Sequence, residues 1–203
     1  MALTWLALGD SYTIGEGVPA EGRWPQQLAA LLRMRGIALQ DPQTIATTGW
    51  TTDELDAGID AAAPTGPFDF ASLLIGVNNQ YRGRSLDDYQ QQFSALLQRT
   101  LAFTGGSPAR VLVLSIPDWG VTPFAHDRDR TAIAAALDAY NLAAQAICQA
   151  HGVVFVDITD LSRQHGAEVA MLADDGLHPS ARMYALWAQR ALPLAERLLA
   201  PAA

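Results

Sequence analysis

Short apolar runs alternate with longer amphipathic stretches along the whole chain, and this alternation limits the folds that the chain can adopt. The clearest run, Val111-Leu112-Val113-Leu114, is continuously apolar, which is typical of a parallel strand covered by helices on both faces. Strands that alternate with helical patterns predict a parallel sheet. We predict strands at Leu3–Leu8, Gln43–Thr47, Phe70–Ile75, Arg110–Ser115 and Val153–Val156.

Helical periodicity fills the intervals between these runs. We predict helices at Trp24–Arg35, Thr52–Ala61, Leu86–Phe103, Arg130–His151 and Ala181–Leu199. Five strands in strict alternation with five helices predict an α/β fold, a three-layer α/β/α sandwich around a five-stranded parallel sheet of flavodoxin-like strand order. The chain has 203 residues, half of them hydrophobic, and we expect a single domain over residues 1–203, with a frayed Ala-Pro-Ala-Ala tail.

Four residues that can contribute to a site come just after predicted strands. They are Ser11, Gly49, Asn78 and Asp118. Because ligands of open α/β folds bind beyond the carboxyl ends of the strands, we expect these four positions to meet on one rim of the sheet.

Ser11 stands where a buried strand ends and a helix is expected to begin. This position exposes a hydroxyl above the sheet edge, among unpaired backbone N–H groups, and it suits a nucleophile. By itself, the sequence Gly9-Asp10-Ser11 is more typical of a plain turn, in which Asp10 accepts backbone N–H bonds. A serine hydroxyl also needs a base to attack a carbonyl carbon, so the prediction depends on a partner elsewhere in the chain.

His178 is the candidate base. It lies three residues after Asp175 in a glycine-containing turn before a helical pattern, so the Asp175 carboxylate can reach the Nδ1–H and leave Nε2 facing outward. Asp174 and Asp157 are rivals for the orienting role, but the spacing favours Asp175. The other three histidines lack this arrangement in a glycine-containing turn: His126, His151 and His165.

Together with Gly49 and Asn78, these residues resemble the SGNH hydrolases, also called GDSL esterases/lipases. The matching blocks, in the family's order, are Gly9-Asp10-Ser11, Gly49, Gly76-Val77-Asn78-Asn79 and Asp175-Gly176-Leu177-His178-Pro179. The resemblance implies a catalytic triad in which Ser11 is the nucleophile, His178 the general base and Asp175 its orienter. It also implies an oxyanion hole formed by the backbone N–H groups of Ser11 and Gly49 and the side chain of Asn78.

The third block departs from the family's usual Gly-x-Asn-Asp, because Asn79 stands in the last position. The amide donor of Asn78 is retained, whereas the hydrogen bonding that steadies this loop is altered. Substrate-contacting residues are expected on the predicted rim, where aromatic rings can hold an acyl chain or stack on a sugar: Trp50, Asn79, Tyr81, Asp118, Trp119 and Phe124.

The composition excludes several other classes of function. The net charge is −8, and all 13 basic residues are arginine, which excludes Schiff-base chemistry on lysine and a P-loop lysine. An acidic chain without a basic cluster argues against nucleic-acid binding. Cys148, the only cysteine, is expected to be a small core residue and leaves no cysteine set for zinc. We predict no metal, no cofactor and no membrane span, and a cytoplasmic location.

The sequence therefore predicts a serine esterase that hydrolyses small carboxylic esters through an acyl-enzyme intermediate. Short acyl esters, thioesters and acetylated sugars are the expected substrates. Two alternatives use the same fold. One is an acyltransferase that employs the same residues, and the other is a binding protein without turnover, which would hold a small anion or a carbohydrate.

Overall fold

The computed structural model describes residues 1–200, and most of the tail predicted to be frayed lies outside this range. Five strands form one parallel sheet in the order β2-β1-β3-β4-β5. The strands are β1 (Trp5–Gly9), β2 (Gln43–Ala46), β3 (Phe70–Leu74), β4 (Val111–Leu114) and β5 (Val154–Val156). This is the flavodoxin-like order, so the prediction of a five-stranded parallel sheet is confirmed.

Residues 1–200 contain eight α-helices. They are α1 (Ser11–Ile14), α2 (Trp24–Met34), α3 (Thr52–Ala62), α4 (Val77–Tyr81), α5 (Leu86–Phe103), α6 (Arg130–Ala150), α7 (Thr159–His165) and α8 (Ala181–Leu199). Helix α2 packs on α8, whereas α5 packs on α3 and α6. Right-handed crossovers place α2 on one face of the sheet and α3, α5 and α6 on the other, because the strand order reverses at β1. The predicted three-layer sandwich is confirmed.

The predicted strands and the five long helices are all present, with ends that differ by at most two residues. The first strand begins at Trp5 instead of Leu3, since Leu3 forms only an isolated parallel bridge with Leu39. The sequence reading did not assign the three short helices α1, α4 and α7. Each has four to seven residues, which is too short to show a helical period.

The core lies on both faces of the sheet. The rings of Trp5 and Trp24 pack 5.9 Å apart on the buried side of α2, and Cys148 is buried as predicted. Burial raises the pKa of the Cys148 thiol to about 12, so the thiol stays protonated at neutral pH. Within residues 1–200, no helix is both long enough and apolar enough to cross a bilayer.

The reversal of strand order places β1 beside both β2 and β3, and Gly9 at the end of β1 is in register with Ala46 and Leu74. The loops that leave these three strands therefore begin at the same edge. Gly9 allows α1 to fold back closely there, because a Cβ atom at this position would overlap the Thr13 side chain and the Leu74 carbonyl.

Candidate active site

A cavity of about 210 Å³ opens at this edge, and we call it the Ser11 cavity. Four of the sequence-predicted site residues line it together: Ser11, Gly49, Asn78 and His178. They come from α1, the loop after β2, α4 and the turn before α8, so residues separated by up to 167 positions meet at one place. Strand ends at a switch in strand order are the place where an open α/β fold is expected to bind its ligand.

Ser11 begins α1, and the turn before it is held by Asp10. The Oδ1 atom of Asp10 accepts a hydrogen bond from the backbone N–H of Tyr12 at 3.0 Å, so Asp10 caps the helix as the sequence predicted. Tyr12 is buried, and its ring packs edge-on against the imidazole of His178, with 5.9 Å between the ring centroids. Tyr12 therefore connects the two candidates: it is the chain neighbour of Ser11, and its ring contacts the imidazole of His178.

Asp175 holds the imidazole of His178 at its Nδ1 atom. Its Oδ2 atom lies 2.5 Å from His178 Nδ1, and its Oδ1 atom accepts the backbone N–H groups of Leu177 and His178 at 2.9 Å each. Burial raises the pKa of Asp175, but the hydrogen bonds from His178 and Leu177 outweigh it and lower the pKa below its usual value. The carboxylate is therefore ionised at neutral pH.

The rival carboxylate Asp157 is engaged elsewhere. It accepts a hydrogen bond from Ser115 Oγ at 3.0 Å and another from the backbone N–H of Thr159 at 2.9 Å, beyond the end of β5. A second histidine–carboxylate pair exists between His165 Nδ1 and Glu168 Oε1, 2.8 Å apart. Neither residue of this pair lines the Ser11 cavity, whereas His178 does.

Gly49 adopts a backbone conformation that favours glycine. Its φ is +86°, and a Cβ atom there would make only an ordinary contact of 3.7 Å with Arg82 Nη2, so the requirement for glycine comes from the backbone angle and not from crowding. The Gly49 carbonyl accepts a hydrogen bond from Arg82 Nη2 at 2.6 Å, and Thr48 Oγ1 donates one to Glu16. These two contacts orient the peptide groups of the loop after β2.

Asn78 lines the Ser11 cavity, and one hydrogen of its amide is already used. The Nδ2 atom donates to the backbone carbonyl of Trp50 at 2.9 Å, which leaves the second N–H of this amide available for the cavity. The bond to Trp50 also ties α4 to the loop that carries Gly49. The two predicted oxyanion donors, the Asn78 side chain and the Gly49 backbone N–H, are therefore held on connected segments, which we call the donor unit.

Asn79 was predicted to contact substrate. In the structure it instead supports the donor unit, through hydrogen bonds to Thr52. It is buried, its Oδ1 atom accepts the backbone N–H of Thr52 at 3.0 Å, and its Nδ2 atom donates to Thr52 Oγ1 at 2.7 Å. An amide satisfies both groups of Thr52 at once, because it has a donor and an acceptor side by side. Asn79 thus fastens α4 to the start of α3.

Trp50 and Asp118 were also predicted to contact substrate, and neither lines the Ser11 cavity. The Trp50 ring lies over Gly58 in α3, where the missing side chain leaves room for it. Asp118 is buried, binds Arg163 Nε at 2.9 Å and accepts the backbone N–H of Gly120 at 2.9 Å. Its role in the structure is to hold the short turn that carries Trp119.

The predicted aromatic contacts that do line the cavity are Tyr81, Trp119 and Phe124. The ring centroids of Tyr81 and Trp119 are 5.3 Å apart, and those of Trp119 and Phe124 are 6.1 Å apart. We call these three side chains the aromatic wall. The sequence reading missed four further lining residues, each adjacent in the chain to a predicted site residue: Tyr12, Thr48, Val77 and Leu177. Their position next to a predicted site residue is the sequence feature from which these four could have been predicted.

Apart from the imidazole of His178, no ionisable acid or base of residues 1–200 lines the Ser11 cavity other than tyrosine phenols. The lining therefore offers no charged side chain to pair with a charged substrate, which favours an uncharged one. The arrangement combines a hydroxyl, an imidazole held by a carboxylate, and amide donors around one apolar space. Such an arrangement is suited to acyl transfer.

Comparisons with known proteins agree with this chemistry. The model of the GDSL-like lipase/acylhydrolase family matches residues 7–186. Among solved structures, TesA has a TM-score of 0.76 at 19% identity, covering 96% of this chain and 99% of TesA. A lipase/acylhydrolase from Enterococcus faecalis has a TM-score of 0.72 at 17% identity, with 97% and 96% covered. Axe2, an acetylxylan esterase from Geobacillus stearothermophilus, has a TM-score of 0.71 at 19% identity, with 95% and 94% covered. No curated protein matched the chain in sequence.

The fold and the family match define a hydrolase that acts on ester bonds. The chain belongs to the GDSL-like lipase/acylhydrolase family, because the family model covers nearly the whole of it.

Proposed function

We propose that this enzyme is a serine esterase that cleaves small carboxylic esters through an acyl-enzyme intermediate, with Ser11 as nucleophile, His178 as general base and Asp175 as its orienter. One observation carries the proposal. The imidazole held at 2.5 Å by Asp175 lines the same cavity as the Ser11 side chain and two candidate oxyanion donors, Gly49 and Asn78. The reaction would proceed in two steps at this place.

In the first step, His178 Nε2 takes the proton of Ser11 Oγ while that oxygen bonds to the ester carbonyl carbon. The carbonyl oxygen becomes an oxyanion, which accepts hydrogen bonds from the backbone N–H groups of Ser11 and Gly49 and from the free amide hydrogen of Asn78. When the intermediate collapses, the imidazolium gives its proton to the departing alcohol. In the second step, His178 activates water, which releases the acid and restores the hydroxyl of Ser11.

Asp175 would act through His178. Its lowered pKa keeps it ionised across the working pH range, so it holds Nδ1 protonated and stabilises the imidazolium that forms in each step. Within residues 1–200, Ser11 Oγ forms no hydrogen bond to the imidazole. Bonds of this kind are often long without substrate and shorten in the reacting complex.

The substrates that fit are short acyl esters, thioesters and acetylated sugars. Apart from the imidazole of His178 and the tyrosine phenols, no ionisable side chain of the described residues lines the Ser11 cavity, which favours an uncharged reacting group. Axe2, which shares the fold, is an acetylxylan esterase, and this supports the inclusion of acetylated sugars.

The proposal is tested by treating the folded enzyme with a serine-directed phosphonate and locating the adduct by peptide mass spectrometry. We expect a single adduct at Ser11, and we expect Ser11→Ala to lose both the adduct and turnover, with kcat lower by about 10⁶-fold. Thermal unfolding of the variant controls for folding. An adduct at another serine, or retained turnover in folded Ser11→Ala, would overturn the assignment of the nucleophile.

A substrate panel then separates the candidate substrates. It contains p-nitrophenyl esters from acetate to palmitate, acetylated xylose and an acyl-CoA. Adding an alcohol to the assay and measuring the new ester distinguishes transfer from hydrolysis. A new ester formed faster than the free acid at a low alcohol concentration would favour an acyltransferase that uses the same residues.

A further inference from the structure

Two side chains of the aromatic wall, Tyr81 and Trp119, separate the Ser11 cavity from a second depression. This depression, which we call the far depression, has a volume of about 260 Å³ and is lined by Gln80, Tyr81, Trp119, Arg128, Asp129, Ala132 and Ile133. Tyr81 and Trp119 line both spaces, whereas Phe124 lines only the Ser11 cavity. The side chains of Tyr81 and Trp119 therefore form a partition between the two spaces.

Trp119 is the better anchored member of this partition. Its side chain is buried, with 5% of the residue exposed, and its Nε1–H donates to Gln80 Oε1 at 2.9 Å. The backbone turn beneath it is fixed by buried Asp118, which binds both the N–H of Gly120 and the side chain of Arg163. Tyr81, by contrast, is 47% exposed. The indole of Trp119 thus limits how far a ligand can extend from Ser11.

The side of the Ser11 cavity that Trp119 bounds suits the acyl part of an ester better than the alcohol part. During the reaction the acyl group stays bonded to the nucleophile, whereas the alcohol must leave. An apolar wall can therefore bound the space for the acyl group, which stays bonded, whereas the alcohol needs a path to solvent. The wall offers the apolar faces of Trp119 and Phe124, and Val77 and Leu177 add further apolar surface to the lining.

We propose that Trp119 is a specificity-determining residue that ends the acyl pocket and restricts the enzyme to short acyl chains. This inference depends on the proposed function. The volume sets the scale, because a cavity of about 150 Å³ can hold a benzene molecule, and the Ser11 cavity at about 210 Å³ must also hold the ester carbonyl. We therefore expect acyl chains up to about six carbons to fit. Removal of the indole would connect the two spaces and lengthen the acceptable chain.

The test measures kcat/KM for Trp119→Ala and the wild type on p-nitrophenyl esters with acyl chains from two to sixteen carbons. For the wild type we expect kcat/KM to fall beyond about six carbons. For the variant we expect it to keep rising over about the next four carbons, by up to about fourfold for each further methylene that is buried. An unchanged length profile in a folded variant would overturn the proposal.

Phe124→Ala is the matched control, because it removes an aromatic ring that lines only the Ser11 cavity. We expect it to lower kcat/KM without moving the longest accepted chain. An equal shift in Phe124→Ala would show that any gap in the wall suffices, which contradicts a specific role for Trp119. If Trp119→Ala does not fold, Trp119→Leu keeps apolar volume at the site, and a smaller shift in the same direction is expected.

A second series keeps the acyl group as acetate and lengthens the alcohol. We expect the same profile for Trp119→Ala and the wild type, and a shift confined to this series would overturn the acyl assignment. Phosphonate labelling of Ser11 keeps the two proposals distinguishable. If the folded wild type is not labelled, the assignment of Ser11 as nucleophile is refuted. If Ser11 is labelled and esters are hydrolysed, but the acyl-length profile is the same for the wild type and Trp119→Ala, only the role of Trp119 is refuted.

Discussion

Asp10, the residue before the proposed nucleophile, is expected to make the stability of this protein depend on pH. Its carboxyl is buried; Oδ1 accepts the N–H of Tyr12 at 3.0 Å, and Oδ2 has no hydrogen-bond partner among the described residues. Burial raises the pKa from 3.8 to about 7, and the backbone hydrogen bond from Tyr12 opposes this only in part. The folded protein therefore holds a proton that the unfolded chain releases at much lower pH.

The sign follows from which state binds the proton more tightly. Because the pKa is higher in the folded state, the stabilisation from this proton is complete below about pH 3.8, decreases as the pH rises, and is lost above about pH 7. Asp10→Asn cannot ionise and lacks this dependence. Between pH 5 and pH 8, the free energy of unfolding of the wild type should therefore fall by about 2–3 kcal/mol relative to the variant.

Urea denaturation of both proteins at intervals from pH 5 to pH 8 measures this difference. The asparagine carbonyl can accept the same N–H of Tyr12, so the geometry of the turn is expected to persist. Asp127→Asn, at an exposed position, controls for the loss of one negative charge and should track the wild type. A difference between wild type and Asp10→Asn that stays constant over this range would refute the reasoning, because the burial of Asp10 would then not favour its protonated form.

Two further predictions concern the residues after β3. Asn78→Ala should lower kcat by about 10²–10³-fold with a smaller change in KM, because a donor to the oxyanion is lost; steady-state kinetics with a p-nitrophenyl ester checks this, and a change mainly in KM would make Asn78 a substrate contact. Asn79→Asp introduces the family's usual residue, yet it removes the donor to Thr52 Oγ1 and buries a charge. Urea denaturation should show a loss of about 1–3 kcal/mol at pH 8 that shrinks at acidic pH as the carboxyl is protonated. Equal losses at both pH values would contradict this.

The strands and the long helices could be predicted because their signals are local. The run from Val111 to Leu114 is apolar at every position, and helices α5 and α8 have the predicted ends, where Ser85 and Ser180 cap the first turn. The short helix α4 has only five residues, so its pattern could not be distinguished from a loop. Its presence matters for the site, because it carries Asn78, Asn79 and Tyr81.

The pairing of Asp175 with His178 was also open to prediction, since the two residues are three positions apart within one turn. The other supports of the site depend on remote contacts. The hydrogen bonds of Asn79 to Thr52, and of Asp118 to Arg163, join segments 27 and 45 residues apart. No local sequence pattern predicts such a remote pair. Asn79 and Asp118 were therefore interpreted as substrate contacts from their position on the rim alone.

The layers, the strand-end positions of the site residues and the histidine–carboxylate pair follow from the amino-acid sequence alone, because periodicity and short spacings act within one segment. Which side chains line the Ser11 cavity depends instead on how the whole chain packs. Trp50 and Trp119 both follow predicted strands, yet the first packs over Gly58 and the second forms the partition beside Ser11. The direction of a large ring is determined by the space that distant segments leave for it, and that space exists only once the whole chain has packed.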